Sequence, residues 1–210
     1  MAQTHVVVID YGAGNLRSAA KALEAVRPDA TVTVSAEPTA LSRATHILLP
    51  GVGAFADCAA GVRGVPGLFD ALAEAVQIQR KPFLGVCVGM QLLAEKGLEH
   101  GEHQGFGWIP GAVTALPDEA GRFKIPHMGW NTLHRVKPHP LTAGFNEQTH
   151  LYFVHSFALE GDAISLADCV YSRRFPAIIS HNNIAGIQAH PEKSSTAGLT
   201  FLKNFLSWRP

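Results

Sequence analysis

Three features are scarce in this sequence, and each scarcity argues against a class of protein. The three cysteines, Cys58, Cys87 and Cys169, are too few and too widely spaced for a disulfide framework or a Cys-x-x-Cys metal site, so we expect a reducing, cytoplasmic location. Seventeen basic and seventeen acidic residues give no net charge, which argues against binding to nucleic acid or an anionic membrane. No apolar run approaches a membrane span, and residues 6–9 are too short for a signal peptide.

What the sequence has is the composition of an ordinary globular protein. Hydrophobic residues make up 47% and charged residues 16% of its 210 residues. A chain of this length buries roughly 70% of its unfolded surface, so it needs no metal or disulfide to hold its core. We predict one domain spanning residues 1–210, because no linker or repeat divides the chain.

The order of the predicted elements indicates an α/β fold. Strands and helices alternate in the first half, which favours a flavodoxin-like open sheet, mostly parallel, with helices on both faces. After about residue 105 the predicted strands lie close together, so we expect antiparallel additions to the sheet. The predicted strands are 5–9, 31–35, 46–49, 82–86, 112–116, 150–159, 168–172, 177–181 and 184–189. The predicted helices are 15–26, with Asn15 as its N-cap, 67–79, 90–96 and 196–208, the last with Leu199, Leu202, Phe205 and Leu206 facing the core.

The segment GVCVG at residues 85–89 is the strongest chemical signal in the sequence. It joins a predicted strand to a predicted helix, and it places Cys87 between two glycines, each two residues away. This is the nucleophile-elbow pattern with cysteine in place of serine. The glycines permit a tight turn, and the nearby helix N-terminus favours a thiolate. A small buried core cysteine is the alternative.

Two further loops follow predicted strands, at the sheet edge where such folds place their sites. His190 and Glu192 are two residues apart, so on an extended segment both side chains point the same way and could act as a base with its orienting carboxylate. Gly51 and Gly53 flank Val52, and glycines in such a loop allow backbone N–H groups to face an oxyanion. A plain Pro-Gly turn would explain that loop equally well.

Several longer segments carry a family resemblance. GVCVGMQLL at 85–93 and HPE at 190–192 resemble the class I glutamine amidotransferases. The segments YGAGNL at 11–16, LPGVGAF at 49–55, KIPHMGWN at 124–131 and YFVHSF at 152–157 are similar, more narrowly, to the glutaminase subunits of imidazole glycerol phosphate synthases. The resemblance extends over nearly the whole chain.

The resemblance implies a role for individual residues. Cys87 would attack the side-chain amide of glutamine, His190 would transfer its proton to the leaving ammonia, and Glu192 would orient His190. The backbone N–H groups of Val52 and Val88 would form the oxyanion hole. The positions implied to bind glutamine are Gly53, Gln91, Glu99, His155, Ser156 and Phe157. No cofactor and no metal are implied.

The resemblance also implies a partner. In the family, ammonia passes to a (β/α)8-barrel cyclase subunit, which makes imidazole glycerol phosphate and an aminoimidazole carboxamide ribotide in histidine biosynthesis. The partner's ligand is thought to reorient the Val52 amide. The positions implied to lie near this heterodimer interface are Asn15, His127, Met128, Trp130 and Lys193. We expect Trp130 to be the main anchor, because tryptophan is enriched in binding hot spots, and core packing of Met128 and Trp130 is the alternative.

The sequence departs from the family pattern in a few places. Ala189 replaces an aromatic residue before the HPE segment, Val88 replaces a leucine and Phe157 replaces a tyrosine. Residues 97–99 read Gly-Leu-Glu where the family has an acidic run, which weakens the assignment of Glu99. Of these changes, Ala189 matters most, because it removes bulk beside the expected base.

Other functions stay open at this point. The chain could be the glutaminase subunit of a different amidotransferase, serving pyridoxal phosphate, anthranilate or nucleotide synthesis, or a non-catalytic binding subunit of the same fold. A cysteine-elbow peptidase or chaperone of a related fold would not need the HPE segment. A metal site at His100-x-x-His103 is opposed by the polar loop around it, which offers no further ligand nearby.

Overall fold

The computed structural model describes residues 3–118 and 121–210. Two sheets organise these residues. The strands are β1 (His5–Ile9), β2 (Thr31–Ser35), β3 (His46–Gly51), β4 (Phe83–Cys87), β5 (Lys96–Gly97), β6 (His103–Gln104), β7 (Ala112–Ala115), β8 (His127–His134), β9 (His150–His155), β10 (Phe157–Leu159), β11 (Ser165–Val170), β12 (Arg174–His181) and β13 (Ile184–Ile187). The helices are α1 (Leu16–Val26), α2 (Ala40–Arg43), α3 (Phe55–Gly64), α4 (Leu68–Ala73, continued by a π-helical segment, Glu74–Ile78), α5 (Val88–Gln91) and α6 (Ser195–Ser207).

Within the described residues the larger sheet has nine strands, in the order β2-β1-β3-β4-β13-β12-β11-β8-β9. Its first five strands run parallel, and β12, β11, β8 and β9 are added antiparallel. Every residue of β3, β4 and β13 is buried, as expected of interior parallel strands. The predicted α/β fold, with antiparallel additions in the C-terminal half, is therefore confirmed.

The smaller sheet has the order β10-β7-β5-β6 within the described residues. Its strand β10 continues directly from β9 of the larger sheet, and only Ser156 separates them. The sequence predicted one strand over 150–159, which is wrong in this respect. The chain passes from one sheet to the other at Ser156, and Leu116 donates its backbone N–H to the Ser156 carbonyl there, at 2.8 Å.

The helix predicted over 90–96 is also wrong, because α5 has only four residues and ends at Gln91. The carbonyls of Leu92, Leu93 and Ala94 accept hydrogen bonds from the backbone N–H groups of residues 106–109. These long-range bonds replace the helical ones, so the chain turns away into the smaller sheet. Such a competition between partners is not visible in a local sequence pattern.

Several other elements differ from the sequence prediction. Helix α3 was not predicted, although its buried residues Phe55, Cys58, Ala59 and Val62 have helical spacing. Strand β8 was not predicted either. In α6, Leu199 is 37% exposed, so its assignment to the core face is wrong, and Phe201 is buried there instead.

The strand-to-helix turn at Cys87 depends on glycine. A Cβ on Gly85 would overlap the backbone of Gly89, and a Cβ on Gly89 would overlap the Leu49 carbonyl of the neighbouring strand. Gly51 meets the backbone of Gly89 in the same way. These close approaches leave Cys87 in the left-handed region, with φ of 54°, which is uncommon for a residue with a side chain. The tight turn predicted from the GVCVG segment is confirmed.

No helix among the described residues combines the length and the apolar character needed to cross a membrane.

The glycine contacts at the turn lead to a stability prediction. Replacing Gly89 with Ala should lower the free energy of unfolding by at least about 2 kcal/mol, because strand β3 or helix α5 must move to accept the new methyl group. Gly64→Ala is the matched control, since nothing lies within 4 Å of its Cβ position in helix α3, and it should be neutral or stabilising by up to about 1 kcal/mol. Urea unfolding measures both variants. Equal stability of Gly89→Ala and the wild type would show that the turn is loosely packed.

Candidate active site

Cys87 lies at the carboxyl end of β4, directly before the first residue of α5. It is 3% exposed, and its Sγ has the Gln188 Nε2 at 3.7 Å and the Val154 carbonyl oxygen at 3.9 Å. The cysteine is therefore enclosed on two sides by polar atoms from β9 and from the segment after β13. Gln188 was not assigned a role from the sequence, because a lone glutamine beside the HPE segment carries no pattern of its own.

His190 and Glu192 form the expected pair. The imidazole Nδ1 lies 2.8 Å from the Glu192 Oε1, and both side chains are only 3% exposed. They are not on an extended segment as predicted, because β13 ends at Ile187 and residues Pro191–Lys193 form a 3-10 turn. The turn nevertheless brings the two side chains together.

Other side chains hold this pair in place. The Asn15 Nδ2 donates to the Glu192 Oε1 at 3.0 Å. Asn15 lies at the N-cap of α1 as predicted, and its carbonyl accepts from the Ala19 N–H at 2.9 Å, but its side chain makes no capping bond and contacts Glu192 instead. Ser194 is fully buried, and its hydroxyl donates to the His190 carbonyl at 2.6 Å and accepts from the Tyr152 N–H at 2.9 Å. Sequence reasoning missed Ser194, although it lies only two residues after the HPE segment.

These contacts shift the two pKa values in opposite directions. Burial by itself would lower the pKa of His190, but its interactions with Cys87 and Glu192 outweigh burial and raise that pKa to about 9. Burial by itself would raise the pKa of Glu192, and its hydrogen bonds with His190 and Asn15 lower it instead. At neutral pH the pair is therefore an imidazolium next to a carboxylate. Among the described residues, no hydrogen bond of standard geometry reaches the buried Nε2 of His190.

A cavity of about 260 Å³ adjoins Cys87 and His190. Its size suits a free amino acid. All six positions expected to bind glutamine line it, together with both residues of the expected oxyanion hole. The lining residues are Val52, Gly53, Cys87, Val88, Gln91, Glu99, Pro126, Val154, His155, Ser156, Phe157 and His190.

The loop from Pro50 to Phe55 forms one wall of this cavity, and three contacts fix it. The Tyr11 hydroxyl donates to the Pro50 carbonyl at 2.8 Å, and the Cys58 thiol donates to the Val52 carbonyl at 3.4 Å. The Glu99 carboxylate accepts from the Phe55 N–H at 2.7 Å, at the start of α3. Glu99 therefore stabilises a helix N-terminus while it lines the cavity, a cap supplied from 44 residues away.

The departures from the family pattern have little effect on the described contacts. Phe157 contributes its carbonyl, which accepts from the Gln91 Nε2 and the His155 Nδ1, each at 2.9 Å. These contacts need no side-chain hydroxyl. Ala189 is fully buried, and the bond between His190 and Glu192 forms beside it.

The five positions expected near a partner differ in exposure. Met128 is 63% and Trp130 is 53% exposed, so the alternative of core packing is wrong for both. Lys193 is exposed and Asn15 is half-buried beside Glu192. His127 is only 3% exposed, so it lies in the interior behind Met128 and not on the surface itself.

Comparison with known proteins agrees with this geometry. The family model described as glutamine amidotransferase class-I matches residues 7–208, and the chain belongs to that family. A solved structure described as PurLQS from Thermotoga maritima superposes with a TM-score of 0.73 at 20% identity, covering 98% of this chain and 99% of that one. Another, described as a glutamine amidotransferase, gives 0.72 at 16% identity, with 96% and 99% coverage.

Curated relatives narrow the family further. The imidazole glycerol phosphate synthase subunit HisH of Rhodospirillum rubrum is 48% identical, over 98% of this chain and 99% of its own length. The HisH subunit of Caulobacter vibrioides is 47% identical with the same coverage. Within the class I glutamine amidotransferases, the chain belongs to the HisH subunits.

The charge of the His190–Glu192 pair leads to a pH prediction. Because the His190 proton is retained up to about pH 9, kcat/KM for glutamine should fall as the pH rises through that value. Glu192→Gln removes an anion that raises the pKa of His190, so the fall should begin at lower pH and the maximal rate should drop at least tenfold. Glu24→Gln, an exposed change on α1, should keep the wild-type profile. An unmoved alkaline limb in Glu192→Gln would contradict the assigned pair.

Proposed function

We propose that Cys87, His190 and Glu192 hydrolyse glutamine to glutamate and ammonia, and that the ammonia passes to a (β/α)8-barrel cyclase subunit. The main supporting observation is that Cys87, at a strained elbow, lines the same cavity as His190, whose other ring nitrogen is hydrogen-bonded to Glu192. Membership of the HisH family makes the chain the glutaminase subunit of imidazole glycerol phosphate synthase, in histidine biosynthesis.

In the proposed reaction the Cys87 thiolate attacks the side-chain amide carbon of glutamine. The carbonyl oxygen becomes an oxyanion, which the N–H groups of Val52 and Val88 stabilise. His190 gives its proton to the amide nitrogen, and the C–N bond breaks to release ammonia and a thioester. Water then attacks the thioester, with His190 taking its proton, and glutamate leaves as the Cys87 sulfur is freed.

The rest of the cavity supports glutamine as the ligand. Its size fits one amino acid, and a carboxylate, Glu99, lines it as a partner for an ammonium group. Gln91 is fixed between the Phe157 carbonyl and the Gln188 Oε1, at 2.9 and 3.1 Å. Gly53 at φ of 102° lets the backbone approach the ligand closely.

The expected docking surface lies next to this cavity. Met128 and Trp130 are exposed on one face of β8, and Met128 pairs in register with Val154, which lines the cavity. Apolar side chains this exposed favour burial against another protein. A barrel seated on this surface would receive ammonia a short distance from Cys87. Of the other positions expected near the partner, Asn15 donates to Glu192 and Lys193 follows Glu192 in the chain.

The nucleophile assignment predicts a complete loss of activity in Cys87→Ala, because no thioester can form. Cys169→Ala changes another buried thiol, one that is not among the residues lining the cavity, and should keep turnover within about tenfold of the wild type. Glutamate release in the full synthase measures both. Glutamate formation by Cys87→Ala at a substantial fraction of the wild-type rate would overturn the mechanism.

If a cyclase subunit is the partner, its binding should activate glutamine hydrolysis by this chain. Binding of the cyclase subunit together with a ribulosyl nucleotide, the substrate that the family resemblance implies for it, should raise glutaminase turnover by about 10²–10³, the effect of completing an oxyanion hole through the Val52 N–H. Trp130→Ala should need at least tenfold more cyclase for half-maximal activation. Ile78→Ala, a change at another exposed apolar residue, should activate as the wild type does. Full activity of the isolated chain would contradict the proposed switch.

A further inference from the structure

Two histidines that take no part in the proposed reaction form a hydrogen-bonded relay beside the glutamine cavity. The His155 Nδ1 lies 2.9 Å from the Phe157 carbonyl oxygen, and its Nε2 lies 3.0 Å from the His127 Nδ1. The His127 Nε2 lies 3.2 Å from the Asn131 Nδ2. His155 is 6% and His127 3% exposed. We call Asn131, His127, His155 and the Phe157 carbonyl the histidine relay.

The two ends of the histidine relay determine its direction. A carbonyl oxygen only accepts, so the His155 Nδ1 carries a proton. At the other end, the Asn131 Oδ1 accepts from the Thr132 N–H and its Nδ2 donates to the Val170 carbonyl, which fixes the amide with Nδ2 toward His127. The His127 Nε2 therefore accepts, and the His127 Nδ1 donates to the His155 Nε2.

One proton arrangement thus satisfies every bond, with both rings neutral and protonated on Nδ1. Burial favours the same state, since it lowers the pKa of His155 to about 3 and that of His127 to about 4. Stacking of His127 between Phe153 and Tyr171, with ring centroids at 5.0 and 4.1 Å, keeps the ring in this orientation.

The histidine relay ends on the backbone that lines the cavity. The Phe157 carbonyl receives two donors, His155 and Gln91, which occupies both of its acceptor sites. The Ser156 carbonyl is occupied by the Leu116 N–H. With both carbonyls engaged, this segment offers a ligand its backbone N–H groups and the Ser156 hydroxyl, which suit the carboxylate of an amino acid.

We propose that His155 and His127 are positioning residues for glutamine, which hold the Ser156–Phe157 backbone in its binding conformation and connect it to strand β8. The inference rests on the proposed function, because it names how that cavity keeps its shape. The outer end of the relay, Asn131, lies next to Trp130 on the strand that carries the expected docking surface.

The kinetic test compares two replacements of His155 in the full synthase. His155→Leu removes both bonds and should raise the KM for glutamine about threefold to tenfold, the usual effect of one or two lost hydrogen bonds, with kcat within about twofold. His155→Asn keeps a donor near the Nδ1 position and should bring KM back to within about twofold of the wild type. His46→Leu is the matched control, because His46 is also fully buried but pairs with Arg209 and Thr45 away from the cavity.

Two kinetic outcomes would overturn the proposal. One is an unchanged KM in His155→Leu, and the other is an equal rise of KM in His46→Leu, which would indicate general loosening of the fold. Absence of glutamine hydrolysis in the wild-type synthase would instead refute the proposed function, and the relay would then be judged by the NMR measurement below.

A second measurement does not depend on any variant folding. Nitrogen-15 NMR of the imidazole rings in the wild-type chain at pH 7 should give both His127 and His155 as neutral rings protonated on Nδ1. An imidazolium signal from either residue, or a proton on the Nε2 of His155, would overturn the relay.

Discussion

The close backbone contact between Gly51, Gly85 and Gly89 determines where the reacting groups of this molecule lie. It brings β3, β4 and α5 together with no side chain between them. The turn that results forces Cys87 into a left-handed conformation at the edge of the sheet, and the same contact places the loop around Val52 beside it. The same backbone contact therefore fixes the positions of both the nucleophile and the expected oxyanion donors. Strain at Cys87 is maintained because the surrounding interior strands are fully buried.

The remaining groups come from the end of β13, the last strand of the parallel half, from the antiparallel strand β9, and from the junction with the smaller sheet. His190 follows β13, whose parallel pairing with β4 brings it to the same edge as Cys87. Strand β9 contributes the wall opposite, and its carbonyl at Tyr152 accepts from the His190 N–H at 2.9 Å. The two halves of the sheet thus meet at Cys87, His190 and Glu192, which explains why the cavity is lined by residues from positions 52 to 190.

Local sequence patterns predicted those parts of the structure that depend on interactions between residues close together in the chain. Interior strands appear as apolar runs, and the elbow appears as two glycines around a cysteine, because no other residue fits there. The patterns failed where a distant group decides the outcome. Residues 106–109 end α5 early, Glu99 caps α3 from across the chain, and the side chain of Asn15, at the N-cap of α1, donates to Glu192 and not to its own helix. Gln188, Ser194 and the histidine relay were missed for the same reason, since each acquires its role only through contacts made in the fold.

The passage of the chain between its two sheets at Ser156 has a thermodynamic consequence. The cavity is lined by Cys87 from the larger sheet and by Phe157 from the smaller one, so a ligand that fills it contacts both. Such a ligand binds only while the sheets are docked, and its binding free energy adds to the stability of that docking. Backbone amides of β7 and β10 should therefore exchange their hydrogens with solvent more slowly when the substrate site is saturated. Substrate binding thus stabilises a sheet that supplies no reacting group.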